Sequence, residues 1–144
     1  MNYLFDTSVL IAGILAAHPH HKRAKPWIAK VIQGKVNMFV CNHSIAELYA
    51  VLTRLPVSPK ISPGNALALI EHNVIKVGNL VNLTSRDYHR VLEGLVRDHL
   101  SGGLTYDGLI YYAALKSGVD NLLTLNKKDF DRFNSSDAIK IHTP

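Results

Sequence analysis

Short apolar runs alternating with segments of helical periodicity constrain this chain more than any other feature. "NYLF" (2–5), "NMFVCN" (37–42), "NVIKVGNL" (73–80), "NLLTL" (121–125) and "AIKIH" (138–142) are too short for packed helices and read as strands. Between them, "TSVLIAGILAA" opens a helix beside the end of the first run. Residues 22–33 carry Trp27, Ile28, Val31 and Ile32 at helical spacing and stop at Gly34. "SIAELYAVLTRL" (44–55) ends at Pro56 and the loop "PVSPKISPG", and Ser62 with Pro63 starts "GNALALIEH". Thr84 and Asp87 form a capping pattern for a helix to about residue 100. "LTYDGLIYYAALKSG" (104–118) is bounded by Thr105 as cap and Gly118 as stop. Strands alternating with helices need crossover connections, so the expected fold is α/β: a three-layer α/β/α sandwich on a mainly parallel, twisted sheet of four to five strands.

No repeat or linker divides the chain, and its 144 residues suit a single domain over positions 1–144. No apolar stretch approaches the roughly 20 residues of a membrane span. Asp6 interrupts the first apolar segment and no basic region precedes it, which fits a cleaved signal poorly and makes a cytoplasmic location the expectation. The single Cys41 has no partner for a disulfide or zinc knuckle and is expected to pack as a small buried residue. A net charge of +5 favours a polyanionic partner, because Lys and Arg release counterions from phosphates.

Ligands of open parallel sheets bind beyond the carboxyl ends of the strands. Asp6 ends the first strand, Glu47 opens the helix after the second, Asp107 begins a late helix, and Asn126 with Asp129 follows "NLLTL". Each has a structural explanation: Ser44 and Glu47 make an S-x-x-E capping box, and Asp6 and Asp107 suit helix N-termini. Independent caps have no reason to converge on one sheet edge, however, and converging carboxylates raise one another's pKa values unless a cation joins them. An all-oxygen set suits Mg²⁺ or Mn²⁺, and such ions activate water against a phosphodiester.

These segments resemble the PIN-domain nucleases, and especially the VapC-type toxins of prokaryotic toxin–antitoxin pairs. "LFDTSVLIAG" is similar to the family's opening acid signature, "SIAELYAVLTRL" to its Glu-bearing helix, "GGLTYDGLIYYAAL" to its Asp-bearing helix and "LLTLNKKDF" to its closing motif. The resemblance implies that Asp6, Glu47 and Asp107 are metal-binding catalytic acids, with Asp129 or Asn126 completing the site. Asn126 stands where many members carry a fourth acid; its carbonyl oxygen can still ligate a hard cation. Ser8, or else Thr7, is implied to orient the first acid, with Thr105 beside the third. The resemblance also implies hydrolysis of RNA to a 5′-phosphate and a 3′-hydroxyl, a homodimer, and a cognate antitoxin whose tail covers the groove.

Lys22, Arg23, Lys116, Lys127 and Arg132 are candidates for phosphate contacts, and Tyr106 for stacking on an unpaired base. "HPHH" (18–21) lacks the partners of a zinc site and is expected as a solvated loop at the groove mouth. Tyr111 and Tyr112 are expected in packing. Two rivals stand beside the nuclease reading. One is a catalytically impaired module of the same fold, acting through protein or RNA contacts and suggested by Asn126. The other is a haloacid-dehalogenase-type phosphatase, which needs a second Asp two residues after the first where this chain has Ser8.

Overall fold

Each strand sends alternate side chains to opposite faces, and the two apolar sets divide accordingly. A computed structural model describes residues 1–144. The strands β1 (Asn2–Phe5), β2 (Asn37–Cys41), β3 (Asn79–Val81), β4 (Asn121–Leu123) and β5 (Lys140–His142) form one sheet in the order β3-β2-β1-β4-β5, with every pairing parallel. Tyr3, Phe5, Met38, Val40 and Leu123 face one core, while Leu4, Cys41, Val81 and Leu122 face the other. The first core is covered by α1 (Thr7–Ile14), α2 (His21–Ile32), α3 (Asn42–Arg54) and α4 (Pro63–Ile70). The second is covered by α5 (Ser85–Arg97), α6 (Leu104–Ser117) and the short α7 (Lys127–Asp131). This is the expected three-layer sandwich, and Cys41 is fully buried in it.

Several sequence signals act as expected. Ser62 caps α4 by accepting from the Asn65 N–H, and Thr84 with Asp87 closes a complete capping box on α5. Gly34 and Gly118 end α2 and α6 in the left-handed region, at φ +70° and +67°.

Three expectations fail. The strand expected over residues 73–80 begins only at Asn79, because a π-helical turn, Glu71–Ile75, continues α4. Ala66, Ile70 and Val74 recur every fourth residue and are all buried, so helical burial outweighs the β-branched composition. The chain can then turn into β3 because Gly78 passes close to Val74, where an added Cβ would meet the carbonyl oxygen at 2.8 Å. Thr105 is no cap: α6 starts one residue earlier, with Gly103 at the N-cap position and no side-chain cap. Ser44 and Glu47 form no capping box, since α3 begins at Asn42 and Ser44 lies inside its first turn.

Candidate active site

The sheet order reverses at β1, whose neighbours β2 and β4 lead the chain in opposite directions. A crevice therefore opens beyond the carboxyl ends of β1 and β4, the general place for a ligand in such a sheet. Asp6 follows β1 directly and is 3% exposed. It occupies the N-cap position of α1 without capping it. Instead its Oδ2 accepts hydrogen bonds from the hydroxyls of Ser8 and Thr124, the latter at 2.7 Å.

Those two hydroxyls have matching second duties. Ser8 accepts from the Leu125 N–H at 3.1 Å, and Thr124 from the Asn126 N–H at 2.9 Å. The turn after β4 is thereby tied to Asp6 through two side chains, one of them Ser8, the residue expected to orient this acid. Thr124, fully buried at the strand end, is a partner that sequence reasoning missed. Its only signal is a hydroxyl set inside the apolar run "NLLTL".

Thr7 does the same for Glu47. Its Oγ1 lies 2.9 Å from both Glu47 Oε2 and the buried Ser44 Oγ. A hydroxyl carries one proton and an ionised carboxylate only accepts, so Thr7 donates to Glu47 and Ser44 donates to Thr7. Ser44 thus serves the acid indirectly, as the last donor of a chain that crosses from α3 to α1 and back.

Glu47, Asp107, Asn126 and Asp129 line one open pocket of about 460 Å³, together with Tyr106 and Arg132. Burial, followed by the charges of Asp6, Asp129 and Glu47, pushes the Asp107 carboxyl up to about 6. Asp6 is also raised: burial outweighs its two hydroxyl donors, and the Glu47 charge adds to it. Asp107 enters no ion pair, and neither does Arg132. Side-chain oxygens of this kind match a hard divalent cation in chemistry, and no hydroxyl reaches Oδ1 of Asp6. As the side chains stand, no three His, Cys, Asp or Glu residues are spaced as a closed metal cage.

Other candidates fall elsewhere. Lys116 is withdrawn from the groove by its own chemistry: its ammonium binds Asp87 at 2.6 Å and the Asn82 carbonyl at 2.8 Å, near the far end of α6. Lys127 pairs with Asp131 at 3.1 Å and borders a second depression with Asn126 and Asp129. Lys22 and Arg23 lie in the first turn of α2, outside the acid pocket, and Arg23 donates to the Pro144 carbonyl. Nor does "HPHH" reach that pocket: α1 carries the chain away from Asp6, and His21 Nδ1 lies 2.8 Å from the Ala12 carbonyl at that far end. Tyr111 and Tyr112 are packing residues, donating to Asn134 and Asp87.

The family model described as PIN domain matches residues 3–135. The chain belongs to the PIN-domain family. This PIN domain is 33% identical to Ribonuclease VapC40 of Mycobacterium tuberculosis over 119 residues, 83% of this chain and 82% of that protein. It is 32% identical to Ribonuclease VapC27 of the same organism over 109 residues, 76% and 74% of the two chains. The fold is also that of VapBC2 from Rickettsia felis bound to a promoter DNA fragment, with a TM-score of 0.66 at 16% identity and 100% and 99% coverage. VapC20 of M. tuberculosis, a toxin that cleaves the sarcin–ricin loop, superposes with a TM-score of 0.64 at 21% identity, over 83% and 86% of the two chains. All four segments that suggested the family from sequence lie within the PIN-domain match.

Proposed function

We propose that this PIN domain is a divalent-metal-dependent endoribonuclease and the toxin of a type II toxin–antitoxin pair, working in the cytoplasm as a homodimer with a cognate antitoxin. The observation that carries the reading is the carboxylate cluster: burial and then three neighbouring acids, Asp6, Asp129 and Glu47, raise the Asp107 pKa, and no cation of the chain enters an ion pair with it. A fold that gathers such charge gains stability and function together when a cation binds. The ribonuclease names of two relatives support the substrate class. Toxin–antitoxin complexes among the structural neighbours support the partner. No helix is long and apolar enough to cross a membrane.

Asp6, Glu47 and Asp107 would hold Mg²⁺ or Mn²⁺, with the Asn126 carbonyl oxygen or Asp129 completing the set. A bound ion would supply acidification of a water and charge neutralisation at a phosphodiester. The chain's own residues do the rest. Ser8 and Thr124 hold the Asp6 carboxylate and Thr7 holds that of Glu47, so neither has to search for its orientation. Arg132 on the pocket wall, and Lys127 beside it, attract the phosphates of the strand.

Cleavage of a panel of labelled RNAs with Mg²⁺ or Mn²⁺ tests the reading, with chelator and the Asp6→Asn and Asp107→Asn variants as controls. Metal-dependent cutting that both substitutions abolish is the expected result. A second reading, a binding module of the same fold without catalysis, draws on Asn126 and on the absence of a closed cage. Failure to cut any RNA, together with no rise in melting temperature on adding either ion, would select it.

A further inference from the structure

His43, at the start of α3, and Tyr106, in the first turn of α6, stack face to face with ring centroids 5.0 Å apart and planes 6° from parallel. Tyr106 remains 51% exposed and lines the pocket of the acids, and neither ring's polar atoms hydrogen-bond within the chain. Packing gives no reason for a large aromatic ring to stand half in water at the mouth of a charged pocket. A nucleobase does give one, since an exposed ring face gains stacking energy with any base.

We propose that the His43–Tyr106 pair is a platform for one unpaired base of a single-stranded RNA, seated beside the acids while Arg132 takes a neighbouring phosphate. This deepens the ribonuclease reading and rests on it. The two rings come from different helices, so stacking on His43 fixes the plane of Tyr106 before RNA arrives. His43 acts through Tyr106 as a positioning residue. A base held in a duplex has both faces covered by its neighbours, so the platform selects single strands, loops and bulges. The choice is for unpaired bases in general, since stacking alone discriminates weakly among the four.

The test separates binding from hydrolysis. In the Asp107→Asn background with chelator, a single-stranded pentaribonucleotide carrying 2-aminopurine at its centre is titrated with protein. Fluorescence quenching on binding is expected, with affinity about 10-fold weaker and quenching lost in Tyr106→Ala, and both largely recovered in Tyr106→Trp. His43→Ala gives a smaller loss that His43→Phe reverses. In cleavage assays, Tyr106→Ala raises KM with little change in kcat, and substrates with an abasic residue at the stacked position no longer distinguish it from the parent protein. Quenching without any cleavage would retain the platform and remove the nuclease reading. Cleavage in which Tyr106→Ala matches the parent on intact and abasic substrates would overturn the platform alone.

Discussion

At one end of α6 the Asp87 carboxylate of α5 meets the Lys116 ammonium at 2.6 Å, whereas at the other end Asp107 faces the charges of Asp6, Asp129 and Glu47. Asp87 is nearly buried at 6% exposure, yet the lysine and the Thr84 donors hold its carboxyl well below the usual carboxylate range. Asp107 is less buried and is pushed the other way, up to about 6. Burial depth therefore does not separate these two acids. What separates them is whether the chain supplies the counter-charge itself.

The largest expected effect is on activity. Asp107→Asn should lower the cleavage rate about a thousandfold or more, while its melting temperature in chelator stays level or rises because a repulsion is gone. Asp87→Asn should do the opposite, melting earlier while cleaving at the parent rate per folded molecule; rate assays beside thermal melts read both. Equal loss of cleavage in the two variants would erase the distinction. Next in size is the response to metal. At a free ion concentration about 100 times Kd, Mg²⁺ or Mn²⁺ should add about 2.7 kcal/mol, roughly 10 °C in melting temperature. Lys116→Met should keep that increment and Asp107→Asn should lose most of it.

Smaller still are the pH effects, whose signs differ. An unfolded Asp107 releases its proton near the ordinary value of 3.8 and the folded one near 6, so between these values the folded state holds more protons. In chelator its contribution should lower stability as pH rises from about 4 to 6, by on the order of 1 kcal/mol once its partial exposure is discounted. Asp87, with its folded pKa lowered, contributes stability that is complete above the ordinary value and lost as pH falls below it. Urea midpoints of Asp107→Asn and Asp87→Asn across pH should flatten opposite slopes. The smallest effect is that of the cap alone: Thr84→Ala should cost about 1 kcal/mol, roughly 4 °C, with no change in metal response.

The sheet and its covering helices were legible because burial imposes periodicity on the sequence, and the acids stood out because each falls just after a strand or within the first turns of a helix. Roles that depend on helix registration were not. "SIAE" carries a capping-box pattern, but α3 starts two residues earlier, which turns Ser44 inward toward Thr7 and frees Glu47 to face the pocket. Lys116 looked like an RNA contact because nothing in one dimension shows that Asp87, on the preceding helix, lies beside it. Thr124 and His43 escaped notice for the same reason, since their partners Asp6 and Tyr106 are distant in sequence.

The two hydroxyls on Asp6 run in one direction only, from backbone N–H to side-chain oxygen and from its proton to the carboxylate. Neither link can reverse, because an amide cannot accept through its nitrogen and an ionised carboxylate cannot donate. Charge drawn out of Asp6 therefore weakens both links at once, and the turn carrying Asn126 feels it as slack. Asp6 and Asn126, 120 residues apart in number, are the two ends of one tether.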